Sequence, residues 1–166
     1  WAFNTALTDL VEAPEMEADE LGIAFAQRFH ETGDSTLSVI DLAQLVELDG
    51  AIDLLADTVL SKDNPRGAVR ERAQRAQKFD GDRNDKDFRD FLRHMIADSA
   101  DEDLVEASEN LDDQLNETIL ANFSNGDFNN ATGLSLYIPT RGYDSTYELG
   151  RWNELTRWDE VVDAIR

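Results

Sequence analysis

The sequence predicts a helix-rich α/β chain that contributes only a few strands to a sheet. Two observations carry this. Gly133-Leu134-Ser135-Leu136-Tyr137-Ile138-Pro139 is the most strand-like run, with Leu134, Leu136 and Ile138 alternating against Ser135 and Tyr137. Around it, most of the chain carries apolar residues at helical spacing. A lone strand needs a neighbour, and Thr36-Leu37-Ser38-Val39-Ile40-Asp41-Leu42 is the other good candidate. Two strands make a marginal sheet, so the pattern implies further strands outside these residues.

The elements follow in chain order. Ala2 to Leu10 suits a short helix with Phe3, Ala6, Leu7 and Leu10 on one side. After Pro14, Glu15 to Glu20 crowd a first turn, where carboxylates suit the helix dipole. Ala18, Leu21, Gly22, Phe25 and Phe29 form that helix's apolar face, and Gly33-Asp34-Ser35 breaks it before the strand at Thr36. Asp41 can cap a helix running to about Leu60, with Leu45, Leu48, Ile52, Leu55 and Val59 as its stripe. Pro65 to Lys78 is the one basic segment, with Val69, Ala73, Ala76 and Phe79 as a thin apolar side. A solvated face that offsets neighbouring acids explains it more simply than a dedicated anion site.

Asp80 to Asp85 is a polar turn. Phe88, Phe91, Leu92, Met95 and Ile96 then mark a helix, and Leu104, Ser108, Leu111, Leu115 and Ile119 a longer one. Asn122 to Asn130 is expected to be loop. The Gly133 strand follows, then a loop with glycine and tyrosine, then a last helix with Trp158, Val161, Val162 and Ile165. No repeat or long linker divides the 166 residues, which are expected to form a single unit.

Composition narrows the function. The net charge is −21, with 36 acidic residues against 15 Lys and Arg, and the pI is near 4.2. Such a chain repels phosphate backbones and anionic lipid, so nucleic-acid partners are excluded and no run is long enough to insert into a membrane. The charge serves solubility, or attracts cationic substrates. With no cysteine, neither a disulfide nor a thiolate can reside in these residues. The start at Trp1 has no basic, apolar leader and reads as an excised or processed piece.

No self-contained active site is legible. His30 and His94 lack metal-type spacing, and Ser35 and Ser38 lack a nucleophile elbow. Asp80, Asp82 and Asn84 alternate like calcium-loop ligands, but Asp85 stands where glycine is needed and Phe91 where the bidentate glutamate belongs. Asn116, Asn122 and Asn130 begin sequons, a weak signal in Asn-rich segments.

Five segments together resemble one family. Trp1-Ala2-Phe3 with Leu7 and Leu10, then a helix ending near Phe29, resembles the segment after the catalytic cysteine of clostripain-type cysteine peptidases. Thr36 to Leu42 resembles that family's "LSxIDL" signature, and Asp87-Phe88-Arg89-Asp90-Phe91-Leu92 its "DLxDFL" helix opening. Gly133 to Pro139 is similar to its "GLSIYFP" strand. Tyr147 through Thr156-Arg157-Trp158-Asp159 is similar to its "T-x-WD" closing helix.

The resemblance, to the caspase-like clan of clostripain and gingipains, spans essentially the whole chain. It implies the C-terminal part of an α/β/α sandwich whose sheet is completed by an N-terminal half carrying the catalytic histidine and cysteine and most of the specificity pocket. The implied activity is endopeptidase cleavage after Arg or Lys, on basic peptide substrates, in an extracellular or cell-envelope setting. Calcium dependence occurs in the family. The N-terminal half would be this chain's partner, covalently or as a processed chain.

No residue here can be the nucleophile, and neither histidine is assigned to the dyad. Candidate substrate-binding residues are Trp1, which could wall the groove, Asn4 and Thr5, which could offer hydrogen bonds, and Asp41, an acid near the pocket. The plainer alternatives are that Trp1 and Phe3 pack between sheet and helix and that Asp41 only caps a helix. An inactive caspase-like scaffold or surface interaction module would keep the same packing motifs, and the residues upstream would separate it from the enzyme.

Overall fold

A computed structural model of the chain describes residues 8, 11, 16–31, 36–79, 84–150 and 152–166, the side chains of 152 and 153 excepted. The expected helix at Ala2 to Leu10 and the Gly33 break lie outside these residues, apart from the single position Thr8. The described residues form a helix-rich α/β structure.

Helix α1, Ala18–His30, opens with a capping box between Glu17 and Glu20. It lies against strand β1, Thr36–Ile40, where Gly22 faces the Val39 side chain so closely that a Cβ would sit 3.1 Å from it. Ala26 is buried on this face, whereas Leu21, assigned to it from spacing, is exposed. Asp41 caps a short 3-10 turn, Leu42–Gln44, and α2 follows at Leu45–Leu60. Its stripe of Leu48, Ile52, Leu55 and Val59 is buried as the spacing requires.

Helix α3, Pro65–Arg75, starts with Asn64 as cap and proline in the first turn. Helix α4, Phe88–Asp98, and helix α5, Glu102–Thr118, each begin with an aspartate cap, Asp87 and Asp101. After the short α6, Trp152–Leu155, helix α7, Trp158–Ile165, closes the described chain. The core forms where α2, α4, α5 and α7 meet, with Val69 and Ala73 of α3 along one side. Trp158 is its largest member; its ring meets Phe91 edge-on at 6.3 Å and its indole N–H donates to the Tyr137 carbonyl at 3.0 Å. Lys62 ties α2 to α5, reaching Asp101 at 2.8 Å and Asp103 at 3.2 Å.

The strands correct the expectation from sequence. Strand β1 pairs with β3, Ile119–Ser124, not with the Gly133 run, in antiparallel register from Thr36–Ser124 to Val39–Ala121 with an irregularity before Ile40. The apolar spacing alone predicts a helix end and the start of a loop over 119–124. Within the Gly133 run only Ser135–Tyr137 is strand, β4. Its partner is β2, Asp85–Asp87, where the sequence predicts part of a turn and a helix opening. The segment after Tyr143, expected to be loop, holds a 3-10 turn at Ser145–Leu149 and α6.

Gly133 shows why the Gly133 run departs from ideal strand. Its φ of +139° is open to glycine, and a Cβ there would lie 2.6 Å from the Ile119 side chain. The chain therefore crosses against β3 before it turns into β4. Two polar residues then fix β4 in place. Asp87 accepts from Asp90 N at 2.9 Å and from Thr132 N and Oγ1, both at 2.6 Å. Asn84 accepts from Ile138 N through its carbonyl at 2.8 Å and from Thr140 N through its side chain at 3.1 Å.

Candidate functional site

Asp41 sits at the carboxyl end of β1, at the point where the chain leaves the ladder. Its backbone N–H donates to Thr118 O at 2.9 Å, joining it to the end of α5. Its Oδ1 accepts from Ala43 N at 2.9 Å, so the capping role expected of it is present, though it caps the 3-10 turn and not α2 directly.

The same carboxylate lines a cavity of about 420 Å3 together with Glu17 and Asp19 from the start of α1. Val39, Ile40, Leu120 and the exposed Leu42 complete its lining. Among the described residues no basic side chain lines this cavity. Each acid also serves the local backbone. Asp19 Oδ1 accepts from Glu20 N at 2.9 Å, and Glu17 takes part in the capping box. These bonds hold the carboxylates in place without neutralising them. The arrangement is chemically suited to a long cationic side chain, its methylenes against the apolar residues and its charged head among the acids.

Sequence reasoning does not single out Glu17 and Asp19, because the helix dipole alone accounts for Glu15 to Glu20. The signal that could find them is Asp41, once β1 and α1 are recognised as packed neighbours. Trp1, Asn4 and Thr5 lie outside the described residues. Asp41 is therefore the one sequence-predicted site residue that has a described environment.

A second hollow, of about 290 Å3, runs between β1 and the start of β4, bordered by Thr36, Ser38, Ile40, Phe79, Gly133 and Ser135. Among the described residues β1 and β4 each pair on one side only. Ser38 Oγ bridges the two ladders, lying 2.9 Å from Asn122 Oδ1 and 3.0 Å from Gly133 O. Asn122 is held in that orientation by its own amide, which donates to Ala131 O at 2.7 Å. A hydroxyl committed as donor to carbonyl oxygens, with no described base beside it, is a structural tie and not a nucleophile.

The histidines have separate surroundings. His30 lies against the Phe123 ring at 5.8 Å, and His94 Nδ1 is 3.8 Å from Asp98 Oδ2, a carboxylate that also pairs with Arg75. Among the described residues no group of acidic or histidine side chains is placed to hold a metal ion. Residues 80–83 of the calcium-like run fall outside them. No described helix is long and apolar enough to cross a membrane.

No protein-family model matches the chain, and no curated protein or solved structure is significantly similar to it.

Proposed function

We propose that this chain is the noncatalytic C-terminal portion of a clostripain-type cysteine endopeptidase that cleaves after Arg or Lys. The observation that carries the reading is the cavity at the end of β1, lined by Asp41, Glu17 and Asp19 together with apolar residues and by no described cation. Such a cavity suits the side chain that precedes the scissile bond in a basic-specific peptidase. The strongly negative field of the chain would further concentrate cationic peptides.

The reacting groups belong to residues outside this sequence, which contains no cysteine. In the proposed reaction a thiolate from the N-terminal half attacks the scissile carbonyl, a histidine of that half protonates the leaving amine, and backbone donors hold the oxyanion. This chain's own part is to bind and orient the basic side chain. The one-sided ladders of β1 and β4 give the N-terminal half a place to extend the sheet. Calcium, which the resemblance admits, has no ligand set among the described residues, and residues 80–83 of the calcium-like run lie outside them.

The test is hydrolysis of Arg- and Lys-linked reporter peptides by the full-length protein. Cleavage abolished by a thiol alkylator is expected. A full-length protein that leaves both reporters intact would reject the enzyme and favour an inactive caspase-like scaffold or interaction module.

A further inference from the structure

We propose that a second pocket, between α3, the loop after β4 and the end of α7, binds a small multivalent oxyanion, a polycarboxylate or a phosphate. Arg66 and Arg70 of α3 and Arg166 at the end of α7 line a cavity of about 320 Å3, walled by Thr140, Gly142 and Tyr143. Among the described residues no acidic side chain lines it. In a chain with 15 basic residues against 36 acids, three guanidiniums at one cavity oppose the general trend.

Two of the three pocket arginines, Arg66 and Arg70, pair with no acidic side chain among the described residues, a state that Arg72 shares outside the pocket. Arg28, Arg75, Arg89 and Arg157 each meet a carboxylate. Arg66 Nη1 instead reaches the main-chain oxygen of Arg166 at 3.4 Å, and Arg70 Nη2 donates to the Thr140 carbonyl at 3.0 Å. Glu71 borders a neighbouring hollow with both, yet forms an ion pair with neither. Neither bond engages an acidic side chain, and each uses one donor of a five-donor guanidinium, so both keep donors for a ligand.

Arg166 is partly committed. It stacks over Tyr143 at 4.7 Å from the ring centre and lies 3.3 Å from Asp163 and 3.9 Å from Glu148. The wall opposite is held in shape before any ligand arrives. Asn84, nearly buried, accepts from Thr140 N at 3.1 Å and donates to Gly142 O at 3.1 Å, and Gly142 has a φ of +71°. Guanidinium forks match the paired oxygens of carboxylate and phosphate. Engaging more than one guanidinium at once takes a ligand with several oxygens, which favours one of two or more charges.

The experiment is calorimetric titration of the full-length protein with citrate and, separately, with inorganic phosphate at low ionic strength. Saturable binding of one equivalent is expected for at least one of them, and the tighter arm identifies the source of the oxyanion. R66Q/R70Q should weaken it at least about tenfold, the loss of a charge-assisted hydrogen bond or more, while R28Q on α1 leaves it unchanged. Should the double variant not fold, R66Q alone, at an exposed side chain, must still weaken binding. Saturation by neither anion, undiminished binding to the arginine variants, or equal weakening by R28Q would overturn the site. The titration is independent of peptide hydrolysis, so an inactive protein would still bind.

Discussion

Single side chains do two kinds of work in this chain, and Asp41 does both. One oxygen caps a turn and the carboxylate as a whole faces the acid-lined cavity. Asp41→Asn can keep the capping acceptor while removing the charge. If the full-length protein is the peptidase proposed, the substitution should lower kcat/KM on Arg-linked reporters by roughly thirtyfold, the worth of a charge-assisted contact of about 2 kcal/mol, with little change in melting temperature. Equal rates in mutant and wild type would remove Asp41 from the substrate site. Asp87 is the opposite case, with all its described contacts internal. Asp87→Asn places an amide where Oδ2 accepts from Thr132 N, leaving donor against donor, and should cost about 2–3 kcal/mol in denaturant unfolding.

The pH dependence at Asp87 follows from its burial. Desolvation pushes its carboxyl above the usual 3.8, against the pull of Thr132 and Asp90, whose N–H and O–H groups favour the charged form. A raised folded pKa means that the native state holds the proton more tightly than the unfolded chain. The group's titration-linked stabilisation is therefore full below 3.8 and declines as pH rises through the folded value. The stability difference between wild type and Asp87→Asn should accordingly shrink from pH 4 upward, read from paired urea melts. A difference that grows over that range would mean the carboxylate, not the acid, is the favoured native form.

At the scale of elements, the longer helices were legible, while the short α6 and half of the strands were not. Leu48, Ile52, Leu55 and Val59, or Phe88, Phe91, Leu92 and Met95, repeat with the helical period because one side of each helix meets the core. Strand β3 lacks such a signal: Ile119 continues the stripe of Leu111 and Leu115, and no glycine or proline marks the change. Strand β2 is Asp-Lys-Asp, a sequence with no strand preference, which is extended because β4 pairs with it. The candidate site was legible only at Asp41, since Glu17 and Asp19 join it through the packing of α1 on β1. Gly133 belongs to this scale as well, because it lets the backbone pass against β3. Gly133→Val should destabilise by about 2 kcal/mol or more, combining an unfavourable φ with a clash on Ile119. Gly142→Ala, at a positive φ with open space around it, should cost less. Thermal melts that rank the two in the reverse order would show that the approach to Ile119 is not limiting.

For the whole molecule, charge and open edges pull in opposite directions. A net charge of −21 repels within the chain, which strains the compact state, and between chains, which keeps exposed strands apart. The two short ladders among the described residues, whose strands pair there on one side only, would otherwise invite pairing with another copy. Salt screens both repulsions, since the Debye length falls from about 10 Å at 0.1 M to about 3 Å at 1 M. The isolated chain should therefore melt at a higher temperature in 1 M KCl than in 0.1 M, and should also sediment as larger species there. If the N-terminal half occupies those edges as proposed, the full-length protein should gain the same stability from salt without growing in size. Self-association of the full-length protein at 1 M KCl to the same extent as the isolated chain would mean that β1 and β4 remain open in the complete molecule, and the proposed continuation of the sheet would fail with it.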